Sequence, residues 1–362
     1  MLTSKRIKSV DLFRGITIAA MILVNTPGNW SSVFSPLLHA NWHGLTPTDL
    51  VFPFFLFIVG ISIFFAYKNK AKSKSTYNKI LIRSLKLISL GLFLNVFLPY
   101  FPFFEELETV RLPGVLQRIG IVFFISSVLY LNCNWKLLLG ISITILIGYW
   151  LVLGFLPFSD GTLPTFNRAP NNWSNFIDSN LLGNHMWKTD YDPEGFFSTL
   201  PSIVSCLFGI LIGNLLDKRR SVKKLFMAGV LLLALGYILD IWFPINKAIW
   251  SSSFVLATSG WATITLAVIY YLNDVRGFNF GDVFKYMGMN AITIYFLSSF
   301  ISKIMYLTKV GDSNVHSYLY NTIFVQHFFS DQLSSLIYAL TVVLFYLGLS
   351  YIMFKKKVFI KV

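Results

Sequence analysis

Apolar runs of roughly 20 residues recur along the whole chain, at 11–26, 46–67, 80–98, 114–132, 136–156, 197–216, 224–243, 250–271, 283–306 and 333–354. A helix of about 20 residues spans the hydrocarbon core of a bilayer, about 30 Å thick. The expected fold is therefore all-α, a multi-pass transmembrane helical bundle of about ten helices. Composition agrees, with 55% hydrophobic and only 13% charged residues in a chain of 362. A soluble domain would carry about 25% charge. No internal repeat and no low-complexity tract divides the chain, so residues 1–362 are expected to form a single transmembrane domain.

A formal charge of +14 at first suggests nucleic acid, but its distribution argues for a membrane. The basic clusters KRIK at 5–8, KNKAKSK at 68–74, DKRRSVKK at 217–224 and FKKKVFIKV at 354–362 all fall on one side if the amino terminus is cytoplasmic. That is the positive-inside pattern. It implies a bilayer partner, no nucleic acid, a cell (inner) membrane location and both termini cytoplasmic. Cys133 and Cys206 have no metal-binding spacing and read as buried small residues. The first run is followed by P-G-N-W with no small-residue cleavage pattern, so no cleavable leader is expected.

The densest chemistry lies between the first two runs, where a polar, aromatic loop carries His39, Trp42 and His43. The second helix starts with Thr46 as N-cap, Pro47 in the first turn and Asp49 where a capping-box acid belongs. His39 lies near the membrane surface and can act as a general base or an acyl acceptor. His43 stands four residues on, but no HExxH and no third ligand accompanies the pair, so no metal is expected.

The order DxFRG, VN and HAxWxGLTxxDLVFPFFLFIxG over 11–60, then RLPGVLQRIG at 111–120, YDPEG at 191–195 and YMGMNAITIYF at 286–296, resembles the catalytic domain of the heparan-α-glucosaminide N-acetyltransferase family of integral-membrane acyltransferases. The resemblance covers nearly the whole chain. It implies a transmembrane enzyme that takes acetyl from acetyl-CoA and gives it to an amino sugar, a terminal glucosamine or a relative, at the outer face. It places His39 in the active site and Asn25 beside it, where an amide can orient the imidazole or donate to a developing oxyanion. The alternative reading of Asn25 is a C-cap before Pro27. Asp49 is a third catalytic candidate, already explained by its capping position. Trp42, Asp192 and Glu194 are the candidates for the acceptor. A homodimer is left open.

Arg111 and Arg118, seven residues apart, suit phosphate or carbonyl contact with CoA through the guanidinium fork. They read equally as ion-pair partners of Glu105, Glu106 or Glu108, or as snorkelling residues. Asn290 and the Ser/Thr run from Ser251 to Ser259 either line the same cavity or bond helix to helix. A cavity bounded by helices containing Asn25, Arg118 and Asn290 is expected. Asp192 and Glu194 close a long loop, 157–196, where carboxylates also favour a helix start. Gly209 and Gly213 read as packing residues, and the loop at 307–332, with His316 and His327, has no legible pattern. The competing class is a sugar transporter or permease, against which stand the lack of an inverted repeat and of paired broken helices.

Overall fold

The structure, a computed structural model, describes residues 7–279 and 281–360. Outside the described residues lie the chain ends, with Lys5 and Arg6 of the first basic cluster, Lys361 of the last, and thus the expectation about the termini.

Each expected apolar run is helical. The helices are α1 (Lys8–Asn25), α2 (Val51–Tyr67), α3 (Lys74–Val96), α4 (Val115–Asn132), α5 (Trp135–Phe155), α6 (Trp173–Leu182), α7 (Thr199–Arg219), α8 (Val222–Asp240), α9 (Ser252–Tyr270), α10 (Asp282–Met289), α11 (Ala291–Leu307), α12 (Val315–Leu319) and α13 (Asp331–Lys355). Among the described residues, seven helices are long and apolar enough to cross a membrane, or eight if α10 and α11, which meet at 81°, form one span. The difference from ten lies in charge. α1 carries Lys8, Asp11 and Arg14, and α3 carries Lys79, Arg83 and Lys86. Asp11 and Arg14 are accommodated within the bundle, where Arg14 donates to Asp11, to the Gly288 carbonyl and to Ser62 Oγ, whereas Lys79, Arg83 and Lys86 lie on the exposed face of α3, with Arg83 over the Phe123 ring at 4.8 Å.

α7 and α9 are the most enclosed spans, and α8 is the most exposed. Close approach at the centre depends on glycine. A Cβ at Gly60 would stand 1.9 Å from the Cys206 carbonyl oxygen, and one at Gly209 would stand 2.0 Å from that of Phe57. Only glycine lets α2 and α7 touch backbone to backbone there, so the GxxxG spacing is a packing device. On the outside, α5, α8 and α13 turn Leu151, Leu231, Ile238, Leu344 and Phe345 outward, the apolar surface that lipid requires.

Two features were not legible. The long loop before α7 contains α6, capped by Asn172, whose Oδ1 accepts from the Ser174 and Asn175 amides. The ninth run is broken at Asn290, where the side chain donates to the Val358 carbonyl and accepts from the Ile360 amide. Asn290 therefore ties the carboxyl-terminal segment to the break between α10 and α11.

Candidate active site

The chain between α1 and α2 folds back over one end of the bundle, and Asp49 organises it. A short 3-10 turn, Pro47–Leu50, precedes α2, with Thr46 as its N-cap in a capping box. Asp49 Oδ2 accepts from the Thr46 amide at 3.0 Å and the Ala40 amide at 3.1 Å. Its other oxygen, Oδ1, meets His39 Nδ1 at 2.7 Å. The carboxylate is 1% exposed and the imidazole 48%. One residue thus caps a helix with one oxygen and orients a histidine with the other. Because a carboxylate only accepts, His39 carries its proton on Nδ1 and presents the Nε2 lone pair.

His39 lies on the wall of a cavity of about 670 Å³. Its other walls come from the end of α1 with Asn25, from Trp42, Arg111 and Glu194, from Lys247, and from Tyr295 and Ser298 on α11. Volume and aromatic walls suit a drug-sized substrate. Trp42 donates its indole N–H to the Phe166 carbonyl at 2.9 Å and stands edge to face with Tyr191 at 5.3 Å, which in turn meets Trp187 at 5.8 Å. These rings offer flat apolar faces beside polar groups. His43 does not share a helical face with His39, since the segment is irregular. It pairs instead with Asn167 Oδ1 at 3.0 Å and with the Asn246 amide at 3.3 Å. Among the described residues no group of three or more His, Cys, Asp or Glu can hold a metal ion.

Arg111 pairs across sequence, not with the neighbouring glutamates. Its Nε and Nη2 grip Asp192 bidentately at 2.8 and 2.6 Å, and Nη2 also reaches Glu194 Oε2 at 2.6 Å. Burial alone would push the guanidinium down, but the hydrogen bonds to Asp192, with Glu194, hold it well above its ordinary value. Asp192 also accepts from the amides of Trp187 and Glu194. It is spent on fixing this loop and does not line the cavity, whereas Glu194 does. α7 begins only at Thr199, so neither carboxylate sits in its first turn.

The helix of Arg118 reaches the cavity through Val115, and the helix that follows Asn290 through Tyr295 and Ser298, but Arg118 and Asn290 themselves are absent from its walls. Arg118 is 1% exposed. Its Nη2 donates to the Gly195 carbonyl at 2.9 Å and to Ser198 Oγ, and its guanidinium lies over the Trp250 ring. Of the serines after Ser251, Ser252 bonds helix to helix, its Oγ donating to the Leu146 carbonyl at 2.7 Å, while Ser253 pairs with Ser251 within the same turn.

One cavity residue escaped sequence reading. Lys247, between α8 and α9, places Nζ 3.1 Å from both ring nitrogens of His39 and 3.8 Å from Asp49 Oδ1. Burial lowers its ammonium from the usual lysine range, against the opposing pull of Asp49. The only trace in sequence is a lysine standing apart from the basic clusters, in FPINKAIW.

Over residues 6–238 the chain matches the family model described as heparan-alpha-glucosaminide N-acetyltransferase, catalytic. Across 99% of its length it is 29% identical to the heparan-alpha-glucosaminide N-acetyltransferase of Mus musculus, covering 61% of that protein. It is 30% identical to that of Homo sapiens, again over 99% of this chain and covering 60% of the relative. The chain thus spans about three-fifths of the length of the curated relatives it matches. With His39, Asp49, Arg111 and Glu194 all inside the matched segment, the chain belongs to the heparan-α-glucosaminide N-acetyltransferase catalytic family.

Proposed function

We propose that the chain is a single transmembrane acyltransferase domain that transfers acetyl from acetyl-CoA to the amine of an amino sugar, such as a terminal glucosamine, with His39 in the active site. The observation that carries this reading is the His39–Asp49 pair at 2.7 Å on the wall of a cavity of about 670 Å³. An imidazole held by a buried carboxylate is the arrangement that makes Nε2 an effective base or acyl acceptor. Both routes, direct attack by the amine and passage through acetyl-His39, use that atom.

The remaining roles follow from position. Asn25 lines the cavity and can donate its amide N–H to the acetyl oxygen. Glu194 offers a carboxylate to the acceptor's ammonium, and Trp42 an aromatic face to its ring. Arg111 fixes Glu194. Together with Val115, Tyr295 and Ser299, Arg111 also lines a second cavity of about 240 Å³ between α3, α4 and α11. We assign the donor's pantetheine arm to that shared wall. Arg118 and Asn290 act by holding the loop before α7 and the carboxyl-terminal segment, without touching the donor.

We propose further that His39 lies at the outer face of the cell membrane. In support, Asp49 stands at one end of α2 and the basic turn after Tyr67 at the other, so the 17 residues of that helix separate them by about 25 Å. Single cysteines at Ala71 and Leu163, in a chain lacking Cys133 and Cys206, should label from opposite sides of the membrane. Labelling from the same side would overturn the orientation.

The activity is tested with purified protein in detergent, acetyl-CoA and glucosamine, following CoA thiol release and acetylated sugar by mass spectrometry. The native protein should turn over, and His39→Ala should not, while still binding acetyl-CoA. Near-native turnover by H39A would end the assignment of His39.

A further inference from the structure

Lys247 lies beyond the segment matched by the family model, yet it is built into the same site. Its backbone is locked. The Asn246 amide donates to Ser251 Oγ at 3.0 Å, the Ile249 amide to Asn246 Oδ1 at 3.1 Å, and the Trp250 amide to the Lys247 carbonyl at 3.1 Å. Trp250 closes this turn with a φ of 50°, a left-handed conformation unusual for a bulky residue, and is itself fully buried. The turn is also joined to the histidine loop. The Gly44 amide donates to the Ile245 carbonyl at 2.8 Å, and the Asn246 side chain meets His43 Nδ1. Two loops about 200 residues apart in sequence are thus fastened together so that one amine stands over one imidazole.

The amine's position is informative. It is equidistant, at 3.1 Å, from Nδ1 and Nε2, so it faces the ring between them and does not cap the Nε2 lone pair head on. With Nδ1 committed to Asp49, any group reacting at Nε2 comes within reach of Nζ. A cation in that place is adjacent to wherever charge develops during acyl transfer, in a partly buried site where such contacts are strong.

We propose that Lys247 is a third catalytic group of this site, its ammonium donating to the acetyl carbonyl oxygen as that oxygen becomes negative. The proposal rests on the acetyltransferase reading above. In the direct route, the acceptor's amine nitrogen forms a bond to the acetyl carbon, and the C=O π pair moves onto oxygen, where Lys247 holds it. The pair returns, the carbon–sulfur bond breaks, and its electrons leave on the CoA sulfur. His39 Nε2 takes the proton from the nitrogen and passes it to the thiolate. Lys247 keeps its proton throughout. Asn25 supplies a neutral donor to the same oxygen, and a charged donor is roughly twice as strong.

The charged groups acting on Lys247 are Asp49, Glu194 and Arg118, with His39 in contact. Burial makes its ammonium more acidic, and hence a better donor to an oxyanion.

The test compares Lys247→Met and Lys247→Arg with native protein in the thiol-release assay, with acetyl-CoA affinity by calorimetry and thermal melting measured alongside. K247M should lower kcat about a hundredfold or more, with the Kd for acetyl-CoA changed less than about threefold. Native kcat should decline on the alkaline side as Lys247 loses its proton, and K247R, charged throughout, should lack that decline. The K247R profile decides the matter even if K247M does not fold. A K247M kcat within about threefold of native, a loss confined to acetyl-CoA affinity, or identical alkaline limbs in native and K247R would each overturn the proposal. Active native protein with an unaffected variant removes this proposal alone; native protein with no turnover removes the acetyltransferase reading and this proposal with it.

Discussion

Asp49 Oδ1 holds His39 Nδ1 at 2.7 Å while Oδ2 of the same carboxylate takes the Thr46 and Ala40 amides. The amide of an Asp49→Asn variant has only one acceptor oxygen, so it must fail either the turn or the histidine. If the oxygen keeps the turn, an NH2 group faces Nδ1 and forces the imidazole into the other tautomer. The expected result is a kcat loss of about a hundredfold or more, with destabilisation of about 1 kcal/mol from the weakened cap. Turnover assays and thermal melts measure both. Native kcat in a folded D49N would detach Asp49 from the chemistry.

Asp192 and Glu194 should separate under mutation although both grip Arg111. Asp192 is wholly buried and accepts four hydrogen bonds, two from Arg111 and two from backbone amides. Asp192→Asn places an NH2 group against donors and leaves a part-buried guanidinium half compensated, a cost of about 1–3 kcal/mol. Glu194→Gln keeps the Asp192 pair and chiefly alters the cavity wall, so it should raise KM for the amino sugar more than it lowers the melting temperature. Equal destabilisation by both would show that Glu194 is structural as well.

His316 should make the packing of the 307–332 loop depend on pH. It is buried, with Nε2–H donating to the Gly28 carbonyl at 3.0 Å, Nδ1 accepting from the Tyr338 hydroxyl at 3.0 Å, and its ring stacked on Tyr306. Burial lowers its folded-state pKa below the ordinary value. The unfolded chain therefore binds the proton first as pH falls. The stability contributed by neutral His316 is complete above about pH 6.5 and is lost progressively below it. Melting curves should show native protein losing more stability between pH 7 and pH 5 than His316→Phe does. Parallel pH profiles would refute the linkage.

What sequence revealed and what it hid follows from the range of the interactions. The helices and the cap at Thr46 and Asp49 rest on local periodicity and a three-residue spacing, and both are present. The second role of Asp49 was visible only as an alternative, because capping alone satisfied the local pattern. For Arg111 the local sequence offers only glutamates a few residues away as ion-pair partners, yet its actual partners arrive about 80 residues later, once α6 has folded the loop back. Lys247 was invisible for the same reason: its meaning is the distance to His39, which no local pattern encodes. Asn290 stands out in sequence as a polar residue inside an apolar run, but its partners, Val358 and Ile360, lie about 70 residues away.

Arg118 makes the sharpest contrast between a plausible motif and its place in the fold. Its spacing from Arg111 suggested a partner for CoA phosphates, but the side chain is sealed between the Gly195 carbonyl, Ser198 and the Trp250 ring. Asp178, Asp192 and Glu194 all act on its charge. Replacing it with methionine fills much of the volume but removes one of the cations that balance those carboxylates at the base of the loop. Breaking a buried charge cluster on one side costs about 3–5 kcal/mol. Arg118→Met should therefore melt earlier and loosen the segment that carries Glu194, raising KM for the acceptor. The Kd for acetyl-CoA, measured by calorimetry on the folded fraction, should move less than about threefold, since a nucleotide phosphate would otherwise lose a contact worth about 1.5–3 kcal/mol. An R118M protein with a native melting temperature and acetyl-CoA affinity weakened more than about tenfold would return Arg118 to the donor site.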